Sequence, residues 1–304
     1  LYRIQKSACG CRTIDVYSVV DDCALSYWSD HLPSLEEESL VQKISDFLAR
    51  LVFAFLYIPI FAVIIYSFNA SRSPRRWEGL TFHWYDELMN DVRLIDALKV
   101  SFQIGVICAI IATIIGFLTA FSLAKFTFRG RRMVMFLVVL PIVIPEIVLG
   151  AALLTVFSEF SFRLGLWSMV LGHLIITLPL ATLILYSALV SLDSSLQEAA
   201  EDLGCSAQQY AARILLPLMR TPILAAFLLS FTTSFGNIVI STFTNGVGFT
   251  TVPIRVFSLL KTGVTPEINA LGAVLIFLTI AVLALIGIRE LGRITARTSS
   301  SGRI

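Results

Sequence analysis

Six long apolar segments recur along this chain of 304 residues, and each is long enough to cross a lipid bilayer. A helix needs roughly 20 apolar residues to span a hydrocarbon core of about 30 Å. Hydrophobic residues make up 57% of the chain and charged residues only 14%, a balance that a soluble fold does not keep in solution. We therefore predict an all-α membrane protein with six transmembrane helices. The predicted spans cover about 47–68, 97–124, 133–157, 166–190, 223–243 and 268–288.

The two ends of the chain lie outside these spans and are polar. Residues 1–46 contain polar and cysteine-bearing stretches, and we expect an N-terminal tail that is poorly ordered in part. Residues 47–290 form the predicted membrane domain, and residues 291–304 form a basic C-terminal tail. Cys9 and Cys11 have no second pair of ligands nearby, so the sequence disfavours a metal site there.

A polar loop over residues 191–220 separates the fourth and fifth predicted spans and indicates a docking site for a partner. Four apolar residues recur in it at helical spacing, so a short helix there carries one small apolar stripe. The stripe is Leu196, Ala199, Ala200 and Leu203, and the residues outside it are Glu198, Glu201 and Asp202. We expect Gly204 to end this helix, because glycine adopts left-handed backbone angles readily. A second short helix is predicted from Ala207 to Leu215, with Pro217 breaking it.

The same loop contains the pattern Glu-Ala-Ala, three residues, Gly, nine residues, Ile, one residue and Leu-Pro. The matching residues are Glu198, Ala199, Ala200, Gly204, Ile214, Leu216 and Pro217. This pattern resembles the signature of permease subunits of bacterial ATP-binding-cassette importers, and the resemblance covers about residues 47–290. It implies the type I importer permease fold. In that fold, the seven matching residues form a cytoplasmic coupling-helix loop that sits in a groove of the ATPase.

The resemblance also implies that the chain works within a larger transporter. The expected partners are a second permease subunit, a dimer of cytoplasmic ATP-binding subunits and a periplasmic substrate-binding protein. ATP and Mg²⁺ are bound by the ATP-binding subunits in such importers, so no cofactor is expected on this chain. Closure of the ATPase dimer moves the coupling loop, and the spans then open alternately to the two sides of the membrane.

Within this family the chain looks most like the spermidine and putrescine branch. The residues that carry this closeness are Pro145-Glu146, Gly165-Leu-Trp167 with His173, Thr251-Val-Pro253, Phe257-Ser258 and the stretch from Gly263 to Ala270. The resemblance implies a polyamine as the solute. One departure is that close polyamine relatives carry acidic residues where this chain has Gly236-Asn237. Another small nitrogenous solute, such as an opine or an amino-acid derivative, therefore remains an alternative.

Basic residues indicate the orientation of the chain in the membrane. The turn 125–132 carries four Lys or Arg residues, and four arginines follow the sixth span, namely Arg289, Arg293, Arg297 and Arg303; both groups fall on the side of the signature loop. Cytoplasmic loops of membrane proteins are enriched in Lys and Arg, so we predict that this side and both termini are cytoplasmic. Four arginines in the loop 69–96 weaken the bias. The predicted location is the bacterial inner membrane.

Polar residues inside predicted spans are candidates for the solute path, because burying them in lipid is unfavourable. Glu146 lies in the third span directly after Pro141 and Pro145, and we expect these two prolines to loosen the helix there. The carboxylate either contacts a cationic solute or pairs with a neighbouring helix. Ser234 and Asn237 belong to a run of small polar residues in the fifth span, which the resemblance places along the path. His173 is expected to bond between helices, and Glu267 is expected to open the sixth helix.

Motifs for catalysis or nucleotide binding are missing from the sequence. There is no Gly-Lys pair for a phosphate-binding loop and no His-Glu-x-x-His for zinc. A net charge of +2 is too small to indicate a nucleic-acid partner. We therefore predict a transport subunit rather than an enzyme. An intramembrane enzyme or a stand-alone channel is the alternative class, and neither requires a docking loop for an ATPase.

Overall fold

The computed structural model describes residues 35–72, 76–193, 195–263 and 266–280. Almost all of these residues are helical, and the extended pairing among them is a single antiparallel bridge between Asn69 and Leu80. The first helices are α1 (Leu35–Tyr66), α2 (His83–Asn90), α3 (Val92–Lys125), α4 (Arg131–Val143), α5 (Glu146–Glu159) and α6 (Leu166–Val190). The later helices are α7 (Ser195–Asp202), α8 (Ala207–Tyr210), α9 (Leu216–Gly236), α10 (Val239–Thr244), α11 (Val252–Thr262) and α12 (Pro266–Ile280).

The chain divides into two units, residues 1–62 and residues 63–304. In the first unit the structure describes α1 alone, an apolar helix that contains Pro59. The second unit holds the other helices and the two candidate sites. Within it, α3, α6 and α9 form the central packing.

Small residues allow these central helices to approach closely. Gly116 on α3 faces α6 so tightly that a Cβ there would lie 3.1 Å from the Cβ of Ala181. Ala112, Ala181 and Ala226 are each fully buried where α3, α6 and α9 meet. In a bilayer, where lipid is as apolar as leucine, such close backbone packing stabilises helix association.

Four described helices are long and apolar enough to cross a membrane, which confirms the prediction of a multi-span helical protein. They include Gln42–Tyr66 within α1, α3, α6 and the continuous stretch Ala207–Gly236. The pair α4 and α5 makes a fifth span if it is counted as one. The sixth predicted span, about 268–288, begins as α12, and its remainder from residue 281 lies outside the described residues.

The third predicted span, about 133–157, is not one helix. It is broken into α4 and α5, whose axes differ by 105°. Pro145 lacks an N–H group and disfavours helical angles in the residue before it, and Ile144 is accordingly extended with φ −77° and ψ 132°. The two prolines were expected only to loosen this helix, whereas Pro145 marks a sharp corner.

The fifth predicted span, about 223–243, is also divided. The helix α9 begins earlier, at Leu216, and ends at Gly236, and α10 begins at Val239. Asn237 between them is extended with φ −75° and ψ 115°. Its side chain caps the next helix, because Oδ1 accepts a hydrogen bond from the Ile240 N–H at 2.8 Å.

Pro217 does not break the helix as the sequence predicted. The α8 helix continues through a π-helical turn, Ala211–Leu215, directly into α9. Pro217 is the second residue of α9, which directly follows this π turn. The wider π turn relieves the clash that the proline ring makes with the carbonyl of Arg213 in a regular α-helix.

The two long polar loops of the sequence contain structure of their own. The loop 69–96 holds α2 and the start of α3, which the carboxylate of Asp91 caps by accepting from the Arg93 and Leu94 N–H groups. The loop 244–267 holds α11. An ion pair joins the two loops, with Arg255 Nη2 lying 3.2 Å from Asp91 Oδ2.

Candidate functional sites

The signature loop forms two short helices joined at a glycine. The carboxylate of Asp193 accepts from the Ser195 N–H at 2.9 Å and starts α7. Hydrogen bonds from the Ser195 backbone and side chain lower the pKa of Asp193 below its ordinary value. At the other end, Gly204 has φ 75°, as the sequence predicted for a left-handed helix stop.

The geometry after Gly204 is that of a Schellman motif. The Cys205 N–H donates to the Ala200 carbonyl at 2.9 Å, and the Gly204 N–H donates to the Glu201 carbonyl at 2.9 Å. Ser206 then begins α8 through reciprocal bonds with Gln209, whose side chain accepts from the Ser206 N–H. The chain therefore turns sharply between two well-capped helices.

The apolar stripe of α7 is largely left uncovered by the residues that the structure describes. Ala200 is 4% exposed and packs with Leu185, Tyr210 and Leu215. Leu203, by contrast, is 85% exposed, and Leu196 is 40% exposed. Among the other signature residues Ile214 is half-buried, and Glu198, Ala199, Gly204, Leu216 and Pro217 are exposed. An exposed stripe beside acidic residues is suited to a protein partner.

Gln197 connects this loop to the central helices, and the sequence gave no sign of it. Lys125 Nζ, at the end of α3, donates to Gln197 Oε1 at 2.8 Å. Gln197 Nε2 in turn donates to Glu201 Oε1 at 2.9 Å. The first of these hydrogen bonds joins α7 to the end of the membrane-spanning helix α3, between residues that are 72 positions apart in sequence.

The second candidate site lies where the two broken helices meet. Glu146 occupies the first turn of α5, where the helix dipole stabilises negative charge, and it is exposed. Asn237, half-buried at the break between α9 and α10, donates from Nδ2 to Glu146 Oε2 at 3.1 Å. Two of the three residues predicted for the solute path thus contact each other from positions 91 apart in sequence.

Ser234, the third predicted path residue, lies one helical turn before Asn237 and is 3% exposed. Its hydroxyl lies 2.7 Å from Nδ1 of His173. The other ring nitrogen of His173 lies 2.9 Å from the hydroxyl of Ser241 on α10. The histidine therefore bonds between helices, as expected, and Ser241 is a site residue that sequence reasoning did not single out from its polar neighbours.

Comparison with known proteins identifies the family. The family model described as "Binding-protein-dependent transport system inner membrane component" matches residues 112–290, which is more than half of the chain. The chain belongs to this family. It is a permease subunit of an ATP-binding-cassette importer, which confirms the resemblance inferred from the signature loop.

Individual relatives of this permease cover most of its length. The spermidine/putrescine transport system permease protein PotC of Haemophilus influenzae is 41% identical over 234 residues, which are 77% of this chain and 91% of the relative. PotC of Escherichia coli K12 is 38% identical, covering 76% of this chain and 88% of the relative. The putrescine transport system permease protein PotI of the same strain is 35% identical, covering 74% and 82%. These relatives are transport subunits, in agreement with the prediction that the chain is not an enzyme.

A solved structure supports the fold of the permease. A bacterial ABC transporter involved in the import of the acidic polysaccharide alginate matches with a TM-score of 0.55 over 85% of this chain and 98% of its own. The identity is 14%, so this likeness concerns the fold alone. It confirms the predicted importer permease fold.

A charged cluster fixes the loops of the permease on the side opposite the signature loop. Asp91 and Arg255 form its ion pair, with side chains 18% and 21% exposed. Burial raises the pKa of Asp91, but hydrogen bonds from Arg255 and from two backbone N–H groups, with the charge of Arg255, hold the pKa below 3.8. Glu267, in the first turn of α12, behaves in the opposite way. Burial raises its pKa above 4.5, and the charges of Glu87 and Asp91 raise it further.

Within residues 35–72, 76–193, 195–263 and 266–280, no three His, Cys, Asp or Glu side chains are placed so that they could hold a metal ion. Cys9 and Cys11, the pair weighed as a metal site, lie outside the described residues.

Proposed function

We propose that this permease subunit moves a polyamine, spermidine or putrescine, across the bacterial inner membrane by alternating access. The observation that carries the proposal is the similarity to polyamine permeases over 77% of this chain and 91% of the H. influenzae relative. The contact between Glu146 and Asn237 supports it, because it holds carboxylate oxygens at the junction of two broken helices. An alkylammonium group is recognised by such oxygen acceptors.

The rest of the transporter follows from the family. In this proposal a second permease subunit completes the path, and a periplasmic binding protein delivers the solute. Two cytoplasmic ATP-binding subunits bind ATP with Mg²⁺, and one of them docks on the coupling loop of this chain at Glu198, Ala199, Ala200, Gly204, Ile214, Leu216 and Pro217. The exposed Leu203 supports this docking, since it offers an apolar contact on a short polar loop. Both termini and the N-terminal tail 1–46 are then cytoplasmic.

The charge of Glu146 provides the test of the solute class. Glu146→Gln keeps the shape and the hydrogen-bonding capacity of the side chain but removes its charge. A charged hydrogen bond contributes about 1.5–3 kcal/mol. We therefore expect uptake of putrescine and spermidine, normalised to folded protein, to fall about ten-fold or more, since each decade equals about 1.4 kcal/mol. The measurement is radiolabelled uptake by membrane vesicles that contain the full transporter.

Glu159→Gln is the matched control, because it removes the same charge from the exposed far end of the same helix. It should leave uptake unchanged. If Glu146→Gln is well expressed and transports both amines at the native rate, Glu146 does not contact a cationic solute.

A less highly charged solute is the second candidate. Asn237 is neutral, so the Glu146–Asn237 pair presents a single carboxylate, and this favours a solute with a single ammonium group. Competition of putrescine uptake by opines and amino-acid derivatives separates the candidates. Strong competition by these compounds, with weak competition by spermidine, would favour the second.

A further inference from the structure

A buried histidine spans the break between α9 and α10. His173 lies on α6 and is 2% exposed. Its Nδ1 lies 2.7 Å from the hydroxyl of Ser234, near the end of α9. Its Nε2 lies 2.9 Å from the hydroxyl of Ser241 on α10. One imidazole ring thus bonds to both sides of the break that contains Asn237.

The proton positions follow from the last bond of this network. The Ser241 hydroxyl donates to the Asn237 carbonyl at 2.7 Å, and a hydroxyl has only one proton to give. Ser241 therefore accepts from His173 Nε2–H. In a neutral imidazole Nδ1 is then an acceptor, and the Ser234 hydroxyl donates to it. Three hydrogen bonds run in one direction, from Ser234 through His173 and Ser241 to the backbone of Asn237.

This network determines where the side chain of Asn237 points. Its carbonyl is held by Ser241, and its Oδ1 accepts from the Ile240 N–H at 2.8 Å. The Nδ2 group is left to face Glu146, which it reaches at 3.1 Å. A reversed amide would place Oδ1 against the carboxylate oxygen, which is repulsive. The bond from the Asn237 amide to Glu146 therefore depends on where the backbone at the break places this amide.

The helix that carries His173 is a firm support for α10. A Cβ on the neighbouring Gly172 would lie 2.8 Å from Cγ2 of Ile240, so α10 packs directly against the α6 backbone. Ile240 is fully buried. Farther along, the Ser168 hydroxyl donates to the Thr244 carbonyl at 2.7 Å. Both ends of α10 are thus fastened to α6.

We propose that His173 is a positioning residue for the solute site, acting through Ser241 on Asn237 and so on Glu146. The proposal rests on the proposed function in that the solute binds at the Glu146–Asn237 pair. The claim that His173 positions the Glu146–Asn237 pair holds whichever solute is carried.

Two amide substitutions of His173 separate its two bonds. In His173→Gln the amide nitrogen takes the place of Nε2–H and keeps the bond to Ser241. In His173→Asn the amide oxygen takes the place of Nδ1 and keeps only the bond that it accepts from Ser234. We expect His173→Asn to raise the KM for putrescine about ten-fold, the size that follows from losing a buried hydrogen bond. The maximal rate per folded transporter should change less than about two-fold, and His173→Gln should retain a KM near the native value.

Ser241→Ala removes the same link from the other side, and it carries the test if the His173 variants do not fold. It should raise the KM as His173→Asn does. Thr182→Val is the control, because Thr182 is fully buried on the same helix but bonds only to the Leu178 carbonyl of that helix. It should leave the KM unchanged.

A double substitution distinguishes positioning from general support of the fold. If His173 acts through Asn237, then His173→Asn adds nothing to the KM in an Asn237→Ala background. Full additivity of the two changes would overturn the proposal, because independent sites add.

Cross-linking provides a readout without solute. Glu146→Cys and Asn237→Cys are combined in the assembled transporter, in a background without the five native cysteines, and joined by a short bifunctional thiol reagent. We expect the yield to fall when His173→Asn or Ser241→Ala is added. An unchanged yield together with an unchanged KM would refute the positioning role. If the native transporter takes up neither amine, the proposed function fails, and the cross-linking result still decides the role of His173.

Discussion

Gly204 shows how one residue determines the shape of the coupling loop. Its φ of 75° lies in a region that residues with a side chain rarely adopt, and the two hydrogen bonds of the Schellman motif depend on it. A Cβ at this position would meet no heavy atom within 4 Å. The backbone conformation, and not crowding, is therefore what requires glycine here.

Replacing Gly204 tests the coupling role. Gly204→Val opposes the left-handed angle by about 1–2 kcal/mol and should reshape the turn after α7. Gly204→Asp instead adds a negative charge beside the acidic residues of α7. We expect both proteins to reach the membrane but to lose uptake and to retain less of the ATP-binding subunit on co-purification. Gly204→Asn is the control, because asparagine tolerates this conformation and should keep most of the activity. Normal transport by the valine variant would remove the loop from the coupling mechanism.

Residue-level prediction succeeded where the signal was local. The glycine stop after α7 follows from a few neighbouring positions, and so does the expectation that His173 bonds between helices. Ser241 and Gln197 were missed, because their partners lie 68 and 72 positions away and depend on how each helix is rotated. Nothing in a single sequence reports that rotation.

The breaks in two spans are the main features at the scale of the helices. Hydropathy predicts that residues 133–157 and 223–243 are apolar, and it contains no information on whether the helix within them is straight. Pro145 gave a local sign of the first corner. The second, at Asn237, has no proline, and it becomes evident only from the hydrogen bonds that hold the side chain and carbonyl of Asn237.

The loops between spans were predicted as polar connections, and they prove to be fastened together by charge. Asp91 caps α3 and forms an ion pair with Arg255 of α11. The charges of Asp91 and Arg255 also act on the carboxyl group of Glu267 on α12. The two carboxyl groups have pKa values displaced in opposite directions, so their effects on stability have opposite signs.

The pH dependence of unfolding tests this cluster. Asp91 has a lowered pKa, so its stabilisation is present above pH 3.8 and is lost as the pH falls through the folded pKa. Asp91→Asn should lower the Tm of the detergent-solubilised transporter at pH 7, which corresponds to a loss of less than about 1 kcal/mol in the free energy of unfolding. In acid, the difference in Tm between the variant and the native protein should disappear. Glu267 has a raised pKa, so its ionised form destabilises the fold at neutral pH, and Glu267→Gln should raise the Tm there. Equal shifts of the same sign would contradict this assignment.

At the scale of the whole molecule, the sequence predicted a helical importer permease with several membrane spans, and the structure and relatives agree. This prediction succeeded because the length of a span and the spacing of the signature residues can both be read directly from the order of residues in the sequence. The orientation of the chain in the membrane rests on its basic residues and stays a prediction. It is the property that determines which face of the protein meets ATP.

Thiol labelling decides the orientation. Thr127 and Val247 are exposed and lie at opposite ends of the spans, Thr127 in the basic turn and Val247 in the loop after α10. In a background without native cysteines, Thr127→Cys should react with an impermeant reagent only from the cytoplasmic side, and Val247→Cys only from the periplasm. Neighbouring Gly246 is unsuitable, because a Cβ there collides with the Leu164 carbonyl. Reversed labelling would place the coupling loop outside the cell.

The exposed apolar side chain of Leu203 on α7 also distinguishes a permease that is assembled with its ATP-binding subunit from one that is not. Leu203 is 85% exposed in the lone chain, on a short loop that proteases can reach. In the proposed complex the ATP-binding subunit covers it. A permease without its ATP-binding subunit therefore keeps this apolar side chain in water, and we expect such surplus copies to be degraded faster than assembled ones.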